Sequence, residues 1–202
     1  MLHRKTSTNY RKWDYFESSE EEEEQPDFEP PDDDPNFKAM EQDIKERAAR
    51  RKEGKRKAEE LKEVANKFMA EGKYRNAIAK YEEAMQCKKD WMILYTNASL
   101  ARLRLEEWDK VVEECGRVVE YYEVFEEELP ANRLTYFKAL TRRGQAYKGL
   151  DQLPEAVEDF KKALEQCPND KDAKILFDRY SEELRLRALA SANERAQEVF
   201  DS

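Results

Sequence analysis

Large and small side chains alternate in one fixed frame over much of the chain. The frame first appears as Tyr74, Ala77, Tyr81 and Ala84, spaced three, four and three residues apart, which is one face of an α-helix. It returns as Trp108, Val111, Cys115 and Val118, and again as Leu153, Ala156, Phe160 and Ala163. The first two copies lie 34 residues apart and the next two 45, so about eleven residues are inserted between the later copies. Each frame follows a second amphipathic stretch, over 58–71, 91–105 and 134–149, with Gly72, Glu106-Glu107 and 149–152 between the members of each pair.

Ala65, Ser99 and Gly144 share one register position, where a small side chain lets two helices approach closely. Pro168 closes the third pair. A helix pair cannot bury its apolar face alone, but three stacked pairs make a continuous core. The predicted fold is therefore all-α, with three helix-turn-helix repeats over 58–168. Phe177, Tyr180 and Leu184 at helical spacing predict a capping helix within 169–202, its aromatic stripe belonging to the core. The inserted stretch, 120–133, reads as a lengthening of the second helix of its pair followed by a longer loop.

Charge divides what precedes the repeats. Residues 14–34 carry twelve acids and no base, broken by Pro26, Pro30 and Pro31, so 1–36 reads as a disordered acidic tail. Within it, four aromatics between Tyr10 and Phe16 suit either docking on the chain's own domain or a short motif for another protein. Residues 37–57 form a charged helical lead-in with eight bases between Lys45 and Lys57, weakened at Gly54. That run lacks the aromatics and apolar face of nucleic-acid or membrane binders, so neither partner is expected.

Composition narrows the chemistry further. Among 202 residues, 41% charged with five glycines, long helices are favoured over a sheet. The net charge of -9 gives no reason to expect nucleic acid, and no apolar run has membrane-spanning length. The N-terminus lacks an apolar signal core, so a cytoplasmic location is expected. Cys87, Cys115 and Cys167 are odd in number and widely spaced, and His3 is the single histidine. Neither a zinc site nor a catalytic triad can be assembled from these. No enzyme activity, metal or cofactor is expected.

The helical register gathers a polar face opposite the small-residue seam. Lys62 and Asn66 lie there with Met69, Asn97 with Arg104, and Lys138 and Arg142 with Gln145. Lys62, Asn66, Asn97, Lys138 and Arg142 supply three cations and two amides without an acid. Such donors can hold both oxygens of a chain-terminal carboxylate and a neighbouring acidic side chain.

The repeat resembles the tetratricopeptide repeat family over 58–168. That resemblance implies a right-handed superhelix whose first helices line a concave surface. Leu61-Lys62-Glu63-Val64-Ala65-Asn66, Tyr95-Thr96-Asn97-Ala98 and the segment from Lys138 to Gly144 resemble the two-carboxylate clamp of its co-chaperone members. The implied partner is the acidic C-terminal tail of heat-shock protein 90 and/or 70, ending Glu-Glu-Val-Asp. By resemblance, Asn66 and Asn97 with Lys62 hold the terminal carboxylate, and Lys138 and Arg142 hold that carboxylate and an upstream acid. Met69, Arg104 and Gln145 are possible groove neighbours. Two positions depart from the pattern: Ala65, where glycine is usual, and Ala98, where arginine is usual. The stretch 37–52 into Leu61-Lys62 is similar to tetratricopeptide repeat proteins of axonemal dynein preassembly, which implies a client there. The alternative is a general repeat scaffold recognising internal motifs of a non-chaperone partner.

Overall fold

Each frame is a buried helical face in the computed structural model, which describes residues 35–125 and 129–200. The elements are α1 (Pro35–Ala70), α2 (Tyr74–Cys87), α3 (Met92–Arg104), α4 (Trp108–Val124), α5 (Leu129–Gly149), α6 (Leu153–Gln166) and α7 (Lys171–Phe200), with no strand among the described residues. Ten of the twelve frame residues are buried, and Tyr74 and Trp108 are half-buried. None of these helices is long and apolar enough to cross a membrane. No group of three or more His, Cys, Asp or Glu side chains among the described residues is placed to hold a metal.

One backbone device turns the chain within every repeat. Gly72, Glu106 and Asp151 occupy equivalent positions, all with positive φ (73°, 59° and 60°). Around them, Lys73 N–H donates to the Phe68 carbonyl and Gly72 N–H to that of Met69. The same two bonds recur as Glu107 to Arg102 with Glu106 to Leu103, and as Gln152 to Tyr147 with Asp151 to Lys148. This left-handed stop satisfies the last carbonyls of each first helix and reverses the chain into the second. Only Gly72 adopts that conformation without steric cost. Glu106→Gly should therefore raise the urea midpoint, with a gain of about 0.5–1 kcal/mol. An unchanged or lower midpoint would show that the turn is not strained.

The core forms two adjoining clusters. Ala58, Ala65, Ala77, Tyr81, Leu94 and Ala98 belong to the first, and Val111, Cys115, Val118, Leu140 and Ala163 to the second. Ala65 and Ser99 are fully buried, and a Cβ on Gly144 would lie 3.0 Å from the Phe160 ring. Gly149 is tighter, because a Cβ there would meet the Trp108 ring at 2.6 Å. Small residues at these points let α5 close on its neighbours.

Three expectations change. The lead-in and the first repeat helix are one continuous element, α1, with no break at Gly54. Gly54 faces α2, where a Cβ would stand 3.0 Å from the Cys87 carbonyl oxygen; close approach explains the glycine. Two units are distinguished, Met1–Ala48 and Ala49–Ser202. In the first, Lys45 pairs with Glu41 and Arg47 with Asp43; in the second, Arg56 pairs with Glu53 and Glu60. Much of the basic run is thus neutralised on its own helix.

The insertion is the second change. The second helix of the pair lengthens as expected, α4 having 17 residues against 14 in α2 and α6, but the helix after it also begins early, so that α5 has 21 against 13 in α3. Aromatic pairing accounts for the lengthening, with Tyr121 edge-on to Tyr122 at 5.2 Å and Tyr122 edge-on to Tyr136 at 6.1 Å. The third change concerns α7, which covers α6 along part of its length. Tyr180 stacks on Phe160 at 5.7 Å, and Phe177, Tyr180 and Leu184 are half-buried rather than enclosed. Lys148–Glu183 and Arg187–Asp151 pairs hold that segment, beyond which Leu186 and Leu189 are 56% and 51% exposed. The acidic tail through 34, with its aromatic cluster, lies outside the described residues.

Candidate carboxylate-binding groove

Helices α1, α3 and α5 each contribute to the cationic face, since each carries its polar residues opposite the small-residue seam. Lys62 is half-buried, with Nζ 4.5 Å from the centre of the Trp91 ring. This cation–π contact holds the chain in place while leaving its charge available. Asn66 is exposed, and its Oδ1 accepts a 2.5 Å hydrogen bond from the Tyr81 hydroxyl, which rises from the core of α2. On α3, Asn97 is half-buried, and its amide makes no hydrogen bond among the described residues.

Lys138 is exposed on α5, one turn before Arg142. The Arg142 guanidinium is largely buried, donates to the Thr96 carbonyl and faces no acid among the described residues. Burial holds its pKa below the usual arginine value, because the cation has lost water without gaining a counter-charge. The contrast with neighbouring arginines is sharp. Arg143 makes a two-pronged pair with buried Asp159, both bonds 2.7 Å. Arg102 is enclosed by Glu82, Glu107 and Glu114. Arg142 alone of these three is left for an external anion.

Two clefts adjoin these residues. One of about 510 Å³ is lined by Leu100, Leu103, Trp108, Arg104, Lys138, Arg142 and Gln145 among others. A smaller one of about 170 Å³ joins Asn97 to Lys138, with Ile93 and Leu134 as apolar walls. The structure thus brings Asn97, Lys138 and Arg142 together across α3 and α5. Lys62 and Asn66 line neither cleft; their contacts are to Trp91 and to Tyr81 of the first core cluster. Arg104 and Gln145 line the larger cleft, whereas Met69 is half-buried against the first core cluster. Ala98 is fully enclosed in that cluster, so alanine there is packing material.

Sequence reasoning missed Tyr81, Thr96 and Trp91 as the contacts of Asn66, Arg142 and Lys62. Tyr81 carried one usable signal: the equivalent frame residues are Cys115 and Phe160, so only the first repeat places a hydroxyl there. Nothing local marked the Thr96 carbonyl as the acceptor for Arg142, a contact across 46 residues.

Helical pairs stacked through one register, with donors collected along their first helices, define an all-α repeat scaffold for protein interaction. The chain belongs to the tetratricopeptide repeat family. The tetratricopeptide repeat family model matches residues 137–170. Human tetratricopeptide repeat protein 12 is 33% identical over 165 residues, covering 81% of this chain and 21% of that protein. The chain therefore spans about a fifth of that relative's length. Among solved structures, the first repeat domain of Spaghetti (RPAP3), bound to the HSP90 peptide SRMEEVD, is 32% identical with a TM-score of 0.55. That match covers 65% of this chain and 95% of the other. The second repeat domain of human RPAP3, in complex with the HSP70 peptide SGPTIEEVD, is 26% identical with a TM-score of 0.54, covering 63% and 98%.

Proposed function

We propose that this chain is a non-enzymatic adaptor that binds the acidic C-terminal tail of heat-shock protein 90 and/or 70. Lys62, Asn66, Asn97, Lys138 and Arg142 hold the two terminal carboxylates of a Glu-Glu-Val-Asp end. The observation that carries this reading is the desolvated, acid-free Arg142 beside Lys138 and Asn97. A partly buried cation without a counter-charge is costly, and an incoming carboxylate relieves that cost. The peptides in the two similar domains, ending EEVD, have the chemistry this groove offers to fit. In this reading the protein acts in the cytoplasm, and its client belongs to dynein-complex assembly, as the likeness of 37–52 suggests.

Charge-assisted bonds less ordering costs give a Kd in the micromolar range, about -7 to -8 kcal/mol. Titration calorimetry with free-acid and C-terminally amidated Glu-Glu-Val-Asp peptides tests this. The amide should bind at least about ten-fold more weakly, since one charge-assisted contact set is lost. Equal binding of both forms would instead support a general scaffold for internal motifs. Co-purification from ciliated-cell lysate with wild-type and Lys138→Glu chains tests the client. Dynein subunits should remain with both while the chaperone is lost, and absence of dynein subunits from both would remove the assembly role.

A further inference from the structure

We infer that Tyr81 is a positioning residue of the groove, its buried hydroxyl fixing the Asn66 amide so that the N–H end meets the incoming carboxylate. This rests on the carboxylate-binding reading above. An asparagine side chain has two donors at one end and an acceptor at the other. On an exposed helix face it can turn either way, and the wrong way sets a carbonyl oxygen against the ligand's anionic oxygens. A device that selects one orientation is therefore part of the site.

Tyr81 has the geometry for that device. Its ring is 1% exposed, packed with Ala58, Ala65, Ala77, Leu94 and Ala98, so the phenol cannot follow Asn66 if the amide turns. The hydroxyl lies 2.5 Å from Asn66 Oδ1. A phenol can also accept, so the direction of the bond needs a further cause. Arg142 supplies it: the guanidinium lies close enough to act electrostatically on the phenol. A nearby cation favours the phenol lone pairs over its proton, so the hydroxyl is favoured as donor to Asn66 Oδ1. With the acceptor end occupied, Asn66 Nδ2 is left for the ligand. Cys115 and Phe160, at the equivalent positions, cannot do this.

Tyr81→Phe keeps the ring in its packed site and removes only the hydroxyl. It should leave the melting temperature within a few degrees of wild type and weaken free-acid Glu-Glu-Val-Asp binding about five-fold, the worth of one oriented hydrogen bond. The preference for free acid over amide should shrink by the same factor. In an Asn66→Ala background, Tyr81→Phe should add nothing. The Asn66 side-chain NH2 signals in a ¹⁵N spectrum should also shift in the ligand-free Tyr81→Phe chain. Undiminished binding by Tyr81→Phe, an equal loss in the Asn66→Ala background, or unshifted Asn66 signals would each overturn the inference while leaving the clamp intact. A wild-type chain that binds acid and amide equally would overturn both.

Discussion

Arg142→Met should weaken binding of a free Glu-Glu-Val-Asp peptide by about 30-fold, a loss of roughly 2 kcal/mol, and should melt no lower than wild type. Both halves follow from the same fact. The guanidinium has been desolvated without an acid to pair with, and its single hydrogen bond goes to Thr96, whose carbonyl also accepts from Ser99. The fold loses little when the charge goes, while the ligand loses a donor already partly stripped of water. Arg143→Met should do the reverse. It strands the Asp159 carboxylate, 3% exposed, without its partner, so stability should fall by roughly 3–5 kcal/mol. Lys138→Glu, on an exposed side chain, should abolish binding with helicity unchanged. Calorimetry and circular-dichroism melts of the three variants decide the matter. Full binding by Arg142→Met would end the clamp reading.

Stability should decline as the pH rises from about 4.5 to about 7, chiefly through Glu114. Its side chain is 12% exposed, Oε1 accepts from Arg102 at 2.9 Å, and Oε2 is buried with no partner among the described residues. Burial pushes the carboxyl up to about 7, an effect that Arg102 opposes without cancelling. In the unfolded chain the group titrates near its ordinary value of 4.5. Between those values the folded state holds a proton that the unfolded state releases. Its contribution is complete below the unfolded pKa and lost as the pH climbs through the folded one, on the order of 3 kcal/mol in all. Asp159, also raised by burial, acts in the same direction. Glu114→Gln should match wild type in urea unfolding at pH 4.5 and exceed it at pH 8. A difference independent of pH would place the Glu114 proton elsewhere.

The repeat architecture was legible because burial of a helix pair imposes a periodicity that survives as residue size. Tyr74 to Ala84, Trp108 to Val118 and Leu153 to Ala163 all occupy the faces expected of them. Element limits were less legible where composition misled. Gly54 looked like a weak point in a helix, but its lack of a Cβ serves an approach by the end of α2. The lengthening of the second helix beyond 120 was legible, but the early start of α5 at Leu129 was not, and Tyr122 and Tyr136 meet edge-on between the two lengthened helices.

That Lys62 and Asn66 share one side of α1, and Lys138 and Arg142 one side of α5, follows from spacing alone, since residues four apart lie on the same side of a helix. By itself, then, the sequence determined the all-α repeat, its register and which polar residues share a side. The partners of each charge were decided only by the tertiary structure. Arg142 and Arg143 are chemically identical neighbours, but about 100° of helical rotation separates them. One side of α5 looks across to the Thr96 carbonyl and the other to Asp159 on α6. No local pattern encodes that difference, because the acid that neutralises one arginine and spares the other arrives from a distant part of the chain.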